Sequence, residues 1–304
     1  IVNTKIVMNR NDNGIRSYSG NVDCKEFSLS TLLNNTDFGN VDFNVELKGF
    51  NYRNKFPESY IAGNVNSFEY KGYKYSNISV DGNFKKGGFN GKFNMDDKNC
   101  NINVDGGFSL ENKTPVFNII AKVKNFSPNR LNLTDKYADS DFSFNVNANF
   151  VGKTIDDIDG TISVDSLTLN APKDGSYFVD NISVNANHNG KAKEITLSSS
   201  FMNGIISGEF NYNSLPHSII SALNRYIPSL VANKKAEQSH NNFDFNFNIE
   251  NGEFFSKMLF LPIELNKPAR IKGFLNDDEN KFRVEASMPQ FKYNNSQYDS
   301  GVLR

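Results

Sequence analysis

Tryptophan is absent from this 304-residue sequence, and cysteine, histidine and proline are scarce, at 2, 3 and 9 residues. The two cysteines, Cys24 and Cys100, lie far apart and fit neither a metal site nor a disulfide framework. A bridge between them stays open, because its geometric demands cannot be judged from sequence. We therefore expect no metal and no cofactor.

The charge balance and the hydrophobicity of the sequence argue against a nucleic-acid-binding protein and against a membrane-spanning helix. Lys and Arg number 33 against 34 Asp and Glu, and no basic excess gathers in one region, so we expect no nucleic-acid partner. The longest apolar stretch, around Met258–Leu265, is far shorter than the ~20 residues that span a bilayer. The sequence begins at Ile1 without a signal-like segment and stops within a strand-like run. We expect a soluble, internal piece of a longer protein.

Alternating apolar and polar residues dominate what is present, and phenylalanine (27 residues) supplies many of the apolar positions. Such period-2 alternation is typical of strands with one apolar and one polar face. Turn residues separate the runs at roughly 10-residue intervals, which favours antiparallel meanders. The pattern predicts an all-β fold in which a curved antiparallel sheet forms an apolar groove; a β-sandwich or barrel is the alternative. The side chains expected to line the groove are Phe43, Val45, Leu47, Phe142, Phe144, Val146, Phe243, Phe245, Phe247, Phe282 and Val284.

Helical spacing occurs mainly between Ser214 and Leu230, where Ser214 can cap, Pro216 suits a first turn and Pro228 should end the helix. A second, short helical turn is predicted at Leu29–Leu33. The chain is therefore predicted to be one repetitive segment over 1–304, with strand meanders at 1–213, a helix at 214–231, a polar loop at 232–242 and a strand meander at 243–304.

Catalytic signatures are weak. No nucleophile elbow, phosphate loop or dinucleotide fingerprint occurs, so we expect no enzyme and no catalytic residue. The Asp156–Gly160 segment favours a turn over a calcium site, because its spacing does not match an EF-hand loop. The aromatic run Phe68, Tyr70, Tyr73 and Tyr75 is predicted to place its first two side chains on one sheet face and its last two on the other. Packing is favoured over sugar stacking for these rings.

Three stretches resemble a known family: Gly20–Gly39, Asp157–Leu167, and Gly208–Tyr212 with the helix and Tyr226–Leu230 that follow. They are similar to units of the TamB branch of the AsmA-like proteins. The resemblance implies a taco-shaped, repeating β-groove in the Gram-negative periplasm, of the bridge-like lipid-transfer type. It also implies phospholipid as ligand, a link to outer-membrane protein assembly through a barrel partner, and an inner-membrane anchor. The regions that carry the anchor and the partner contact are absent from this sequence.

Two function classes follow from the sequence. The first is conduction of phospholipid acyl chains along the groove between the inner and outer membranes, with or without a role in assembling outer-membrane proteins. The second is a surface adhesin or glycan-binding β protein. The absence of tryptophan favours the first class, because sugar-binding platforms commonly use that side chain.

Overall fold

The computed structural model describes residues 2–10, 16–51, 58–111, 114–172, 175–215, 218–219, 221, 240–258, 263–293 and 296–303. Its strands make up 71% and its helices 6%, and 17 strands form one large antiparallel sheet. The predicted all-β antiparallel fold is thus confirmed. The strands of the large sheet are β1 Val2–Arg10, β2 Arg16–Ser28, β3 Phe38–Asn51, β4 Glu58–Tyr70, β5 Tyr73–Lys85, β6 Gly88–Asp97, β7 Cys100–Ser109, β8 Val116–Phe126, β9 Asp141–Val151, β10 Asp159–Ala171, β11 Gly175–Asn189, β12 Ala192–Ser199, β13 Met202–Glu209, β14 Asn242–Ile249, β16 Ala269–Asn276, β17 Lys281–Met288 and β20 Gly301–Leu303. A second sheet of three short strands contains β15 Ile263–Leu265, β18 Phe291–Tyr293 and β19 Ser296–Tyr298.

Two short helices whose bounds lie within the described residues interrupt the strands. Helix α1, Leu29–Leu33, confirms the predicted turn; it ends at Asn34, whose left-handed backbone (φ 49°) lets its N–H reach the Ser30 carbonyl. Helix α2, Gly252–Met258, was not predicted. The predicted helix at Ser214–Leu230 lies largely outside the described residues, although Ser218 does donate its backbone N–H to the Ser214 carbonyl.

Strands follow one another as meanders, because short turns connect sequence neighbours. In β2 to β8 each strand pairs antiparallel with the next, and β12, β13, β14, β16 and β17 do the same. Lys86–Gly87 forms a two-residue turn with positive φ at both positions (50° and 76°), the geometry that suits a tight hairpin.

Contacts divide the chain into two compact units. The first unit contains Ile1–Asn149 and Val164–Phe178, and the second contains Phe150–Ser163 and Val179–Arg304. Each unit has its own apolar clusters.

Candidate functional site

One face of the first unit is apolar across seven consecutive strands. Residues directly opposite one another share a sheet face, so the strand registers define a row that crosses β2 to β8. No charged residue lies in this row, which we name the valine row: Val22, Val45, Gly63, Val80, Phe93, Val104 and Ala121. Only Val45 is buried, and the other six residues are partly exposed. The row therefore presents a continuous apolar surface that retains contact with solvent.

The opposite face of the same strands is polar. Successive residues of a strand point to opposite sides of the sheet. The sequence neighbours of the valine row therefore form a row on the opposite face, and this row is rich in asparagine. Its members are Asp23, Asn44, Asn64, Ser79, Asn94, Asn103 and Lys122. The sheet of this unit is thus amphipathic, as the alternation in the sequence predicted.

A buried cluster closes one end of the apolar face. Tyr75, Ile78, Met95, Val123 and Cys100 form its centre, and Cys100 is fully buried. The loop between β8 and β9 contributes Leu131, which is 1% exposed. The Tyr75 hydroxyl donates to the Leu131 carbonyl at 3.2 Å, which holds the loop over the sheet end.

A buried carboxylate stabilises this end. Asp97 is 4% exposed and accepts hydrogen bonds from the Tyr73 hydroxyl (2.5 Å), the Ser76 N–H and hydroxyl (both 3.1 Å) and the Asn99 N–H (2.9 Å). Burial, together with the hydrogen bond to Asp97, raises the pKa of Tyr73 to about 12. Four donors on one carboxylate offset the loss of its hydration, so the role of Asp97 is structural.

The predicted division of the aromatic run between two faces is wrong. Tyr70 lies directly opposite Tyr73, and Phe68 lies opposite Tyr75, so all four rings project from the apolar face. The reason is the two-residue turn Lys71–Gly72, which pairs its flanking residues and gives them the same side-chain direction. All four rings pack in or against the buried cluster; Tyr75 is buried and the other three rings are partly exposed.

The predicted lining residues of the first unit fall on two strands. Phe43, Val45 and Leu47 alternate along β3 on the apolar face, and Phe43 lies opposite Val65 of β4. On β9, Phe142 is buried, Val146 is partly buried, and Phe144 packs against the cluster around Ile78.

The second unit has its own apolar face. The registers of β11 to β17 define a row that contains Ala186, Ile195, Ile206, Phe245, Gly273 and Val284. One end is covered by Phe210, Tyr212 and Leu215, which pack around the buried Phe243 and Leu275. The other end packs around Ile249, Leu265 and Ala269.

The remaining predicted lining residues all lie on this second face. Phe243, Phe245 and Phe247 alternate along β14, and Phe282 and Val284 alternate along β17. Phe243 and Phe282 are both opposite Leu275, so they belong to one row. That the lining residues of the two units share a single interior stays a prediction.

Sequence reasoning missed one charged cluster in the second unit. Lys193 of β12 lies opposite Gly208, on the same face as Ile195, and its side chain is only 8% exposed. Its Nζ lies 3.6 Å from Asp156 Oδ1 and 4.6 Å above the Tyr212 ring centre. The signal in the sequence was a lysine two residues before Ile195, at a position where the alternation of the strand predicts an apolar side chain.

The metal and thiol candidates have plain structural roles. In Asp156–Gly160, Asp157 accepts hydrogen bonds from the Thr154 hydroxyl and the Lys153 N–H within a short 3₁₀ turn. Among the described residues no group of His, Cys, Asp and Glu could hold a metal ion. Cys24 and Cys100 are both buried, and neither forms a disulfide.

Comparisons with known proteins return no relative. No protein-family model, no curated protein and no solved structure matches the chain. None of the described helices combines the length and apolar character needed to cross a membrane.

Proposed function

We propose that this chain is a non-enzymatic segment of a TamB-like envelope protein whose apolar sheet faces bind phospholipid acyl chains. In this proposal the segment works in the periplasm, where it conducts lipid between the inner and outer membranes or assists outer-membrane protein assembly. The proposed partners are the inner membrane, reached through an anchor, and an outer-membrane barrel protein.

The valine row is the observation that carries the proposal. It crosses seven strands without a charge, and six of its residues keep apolar surface in contact with solvent. A charge in the path would have to be desolvated by a passing acyl chain, at a cost of several kcal/mol. An uninterrupted row avoids that cost at every strand.

The dimensions of the row suit an acyl chain. Seven strands spaced by about 4.8 Å extend over about 29 Å along the sheet. One leaflet of a bilayer core is about 15 Å thick, so a full acyl chain fits along the row. Each methylene that leaves water contributes about 0.8 kcal/mol, and no polar contact is needed for binding.

Glycan binding finds less support. It depended on an exposed aromatic row, and the rings of Phe68, Tyr70, Tyr73 and Tyr75 instead pack together on the apolar face. Phe68 and Tyr75, for example, have ring centres 5.9 Å apart.

The absence of tryptophan makes a direct test possible. A single tryptophan introduced as Val104→Trp, in β7 and one strand from the end of the valine row, gives fluorescence with no signal from another tryptophan. Delipidated protein is mixed with phospholipid whose acyl chains carry bromine, which quenches tryptophan on contact. We expect strong quenching in V104W.

Asn103→Trp is the matched control, since Asn103 is the exposed neighbour on the polar face of the same strand. Its fluorescence should be quenched far less at the same lipid concentration. Equal quenching at both positions, or none at Val104→Trp in a protein with an intact strand spectrum, would contradict the proposal.

A further inference from the structure

The carboxylate of Asp156 occupies a small anion-binding arrangement at one end of the second unit's apolar face. Three groups converge on it: the backbone N–H of Tyr212 at 2.5 Å, Nδ2 of Asn213 at 3.5 Å and the ammonium of Lys193 at 3.6 Å. A backbone N–H, an amide and a cation are the donors that proteins also direct at phosphate oxygens.

The cation of this arrangement belongs to the apolar face. Lys193 shares its face with Ile195, and it stands opposite Gly208, which has no side chain to compete for the space. The lysine stem is covered by Phe210 and Tyr212, with the ammonium 5.9 Å and 4.6 Å from the two ring centres. A buried cation beside apolar side chains matches an amphiphile with an anionic head and a hydrocarbon tail.

One further observation favours a ligand here. In the described part of the chain, the Tyr212 hydroxyl is buried without a hydrogen-bond partner, so one more polar atom at this end is unsatisfied. The nearby Asp159 faces His188 at 3.6 Å, and His188 is the cross-strand neighbour of Lys193.

We propose that Lys193, the Tyr212 N–H and Asn213 form a binding site for the phosphate group of an anionic amphiphile, and that Asp156 fills this site when no ligand is bound. The tail of the amphiphile lies along Ile195, Ile206 and Phe245. This inference rests on the proposed acyl-chain binding and adds the chemistry of the head group and its position.

Asp156 acts in this scheme as an internal competitor. Its side chain is 30% exposed and sits on the short 3₁₀ turn Ile155–Asp157, whereas Lys193 is fixed within a strand. A phosphate that takes the place of the carboxylate keeps the lysine paired, so no uncompensated buried charge is created. The displaced carboxylate moves into water.

The test uses decyl phosphate, decanol and inorganic phosphate, with binding measured by titration calorimetry on the full chain. The informative substitution is Asp156→Asn, which removes the competing charge and keeps the shape. We expect D156N to bind decyl phosphate about tenfold more tightly than the original chain, which corresponds to about 1.4 kcal/mol. The double variant D156N/K193M should lose this gain, and D156N/K193R should keep most of it.

The outcomes separate the two proposals. Unchanged affinity of D156N for decyl phosphate, or a gain that survives K193M in a folded protein, would overturn the anion site. If decanol still binds in that case, the proposal of acyl-chain binding is retained without the anion site. If neither decanol nor decyl phosphate binds, both proposals are wrong. Inorganic phosphate that binds as tightly as decyl phosphate would overturn the amphiphile and leave a site for free phosphate.

Discussion

Gly204 of β13 lies directly opposite Phe247 of β14, and the phenyl ring covers the glycine. A Cβ placed on Gly204 would stand 2.5 Å from Cε1 and 2.8 Å from Cγ of that ring. In the first unit Phe89, a diagonal neighbour on the adjacent strand, covers Gly82, with Cζ 2.5 Å from the corresponding position. Because glycine has no side chain, the phenyl ring can lie flat against the sheet at these positions and still cover it with apolar surface.

Substitution of Gly204 tests this packing. We expect Gly204→Ala to lower the free energy of unfolding by about 1–3 kcal/mol, because the added methyl group forces the Phe247 ring out of its place. Urea denaturation measures the change. Adding Phe247→Leu should recover part of the loss, whereas a purely additive double variant would contradict the steric explanation. Ser207→Ala, on the opposite face of β13, serves as the control and should change little.

Alternation within a single strand was enough to predict which side chains share a face in β3 and in β14. Phe243, Phe245 and Phe247 share a face, as do Phe43, Val45 and Leu47, because side-chain direction in a strand repeats every two residues. Which glycine or valine stands opposite each residue depends on the turn lengths, and a two-residue turn placed Tyr70 and Tyr73 on one face against the simple count.

Contacts between residues distant in sequence could not be predicted. Lys193 and Asp156 are brought together by the fold, and nothing in the local pattern around either residue points to the other. Helix α2 was also missed, because Phe254 and its neighbours form only seven helical residues, too few for a clear helical period. Phe254 is fixed by a tertiary contact, with its ring centre 4.8 Å from that of Phe201.

A charge is predicted to have different effects in the valine row and in the buried cluster at one end of the apolar face. Val104 is partly exposed, so Val104→Asp should fold and lose acyl-chain binding, because the lipid must desolvate the carboxylate. Ile78 is 7% exposed within the cluster around Cys100, so Ile78→Asp should unfold the first unit or weaken it by more than about 3 kcal/mol. Circular dichroism melts and lipid binding distinguish the two. Equal destabilisation by both changes would mean that Val104 lies in a closed core.

Asp97 and Asp96 offer a comparison of neighbouring carboxylates. Asp97→Ala leaves the partly buried donors of Tyr73, Ser76 and Asn99 without this acceptor, and we expect it to lower stability by roughly 2–4 kcal/mol. Asp96→Ala removes an exposed carboxylate whose partner is the Asn101 amide, and it should change stability by less than about 0.5 kcal/mol. Thermal unfolding of the two variants in parallel decides the matter. A similar loss in both would show that the buried network contributes little.

Alkaline pH should weaken the buried end of the first unit. Burial raises the pKa of Tyr73, Tyr75 and Cys100 to about 12 in each case, above the ordinary values of 10.0 for tyrosine and 9.0 for cysteine. Between the ordinary and the raised value the folded chain holds more protons than the unfolded chain, so stability falls as pH rises. The contribution is complete below about pH 9 and is lost progressively toward pH 12.

The Cys100 thiol reports this loss directly. In a Cys24→Ser background Cys100 is the sole thiol, and its full burial and raised pKa keep it protonated and shielded from alkylating reagents at pH 8. We expect iodoacetamide to label it very slowly at pH 8 and much faster above about pH 11, where the cluster opens. Labelling in denaturant at pH 8 gives the rate of the accessible thiol and serves as the reference. A native rate close to that reference at pH 8 would mean that Leu131 and the loop between β8 and β9 do not cover the end of the apolar face.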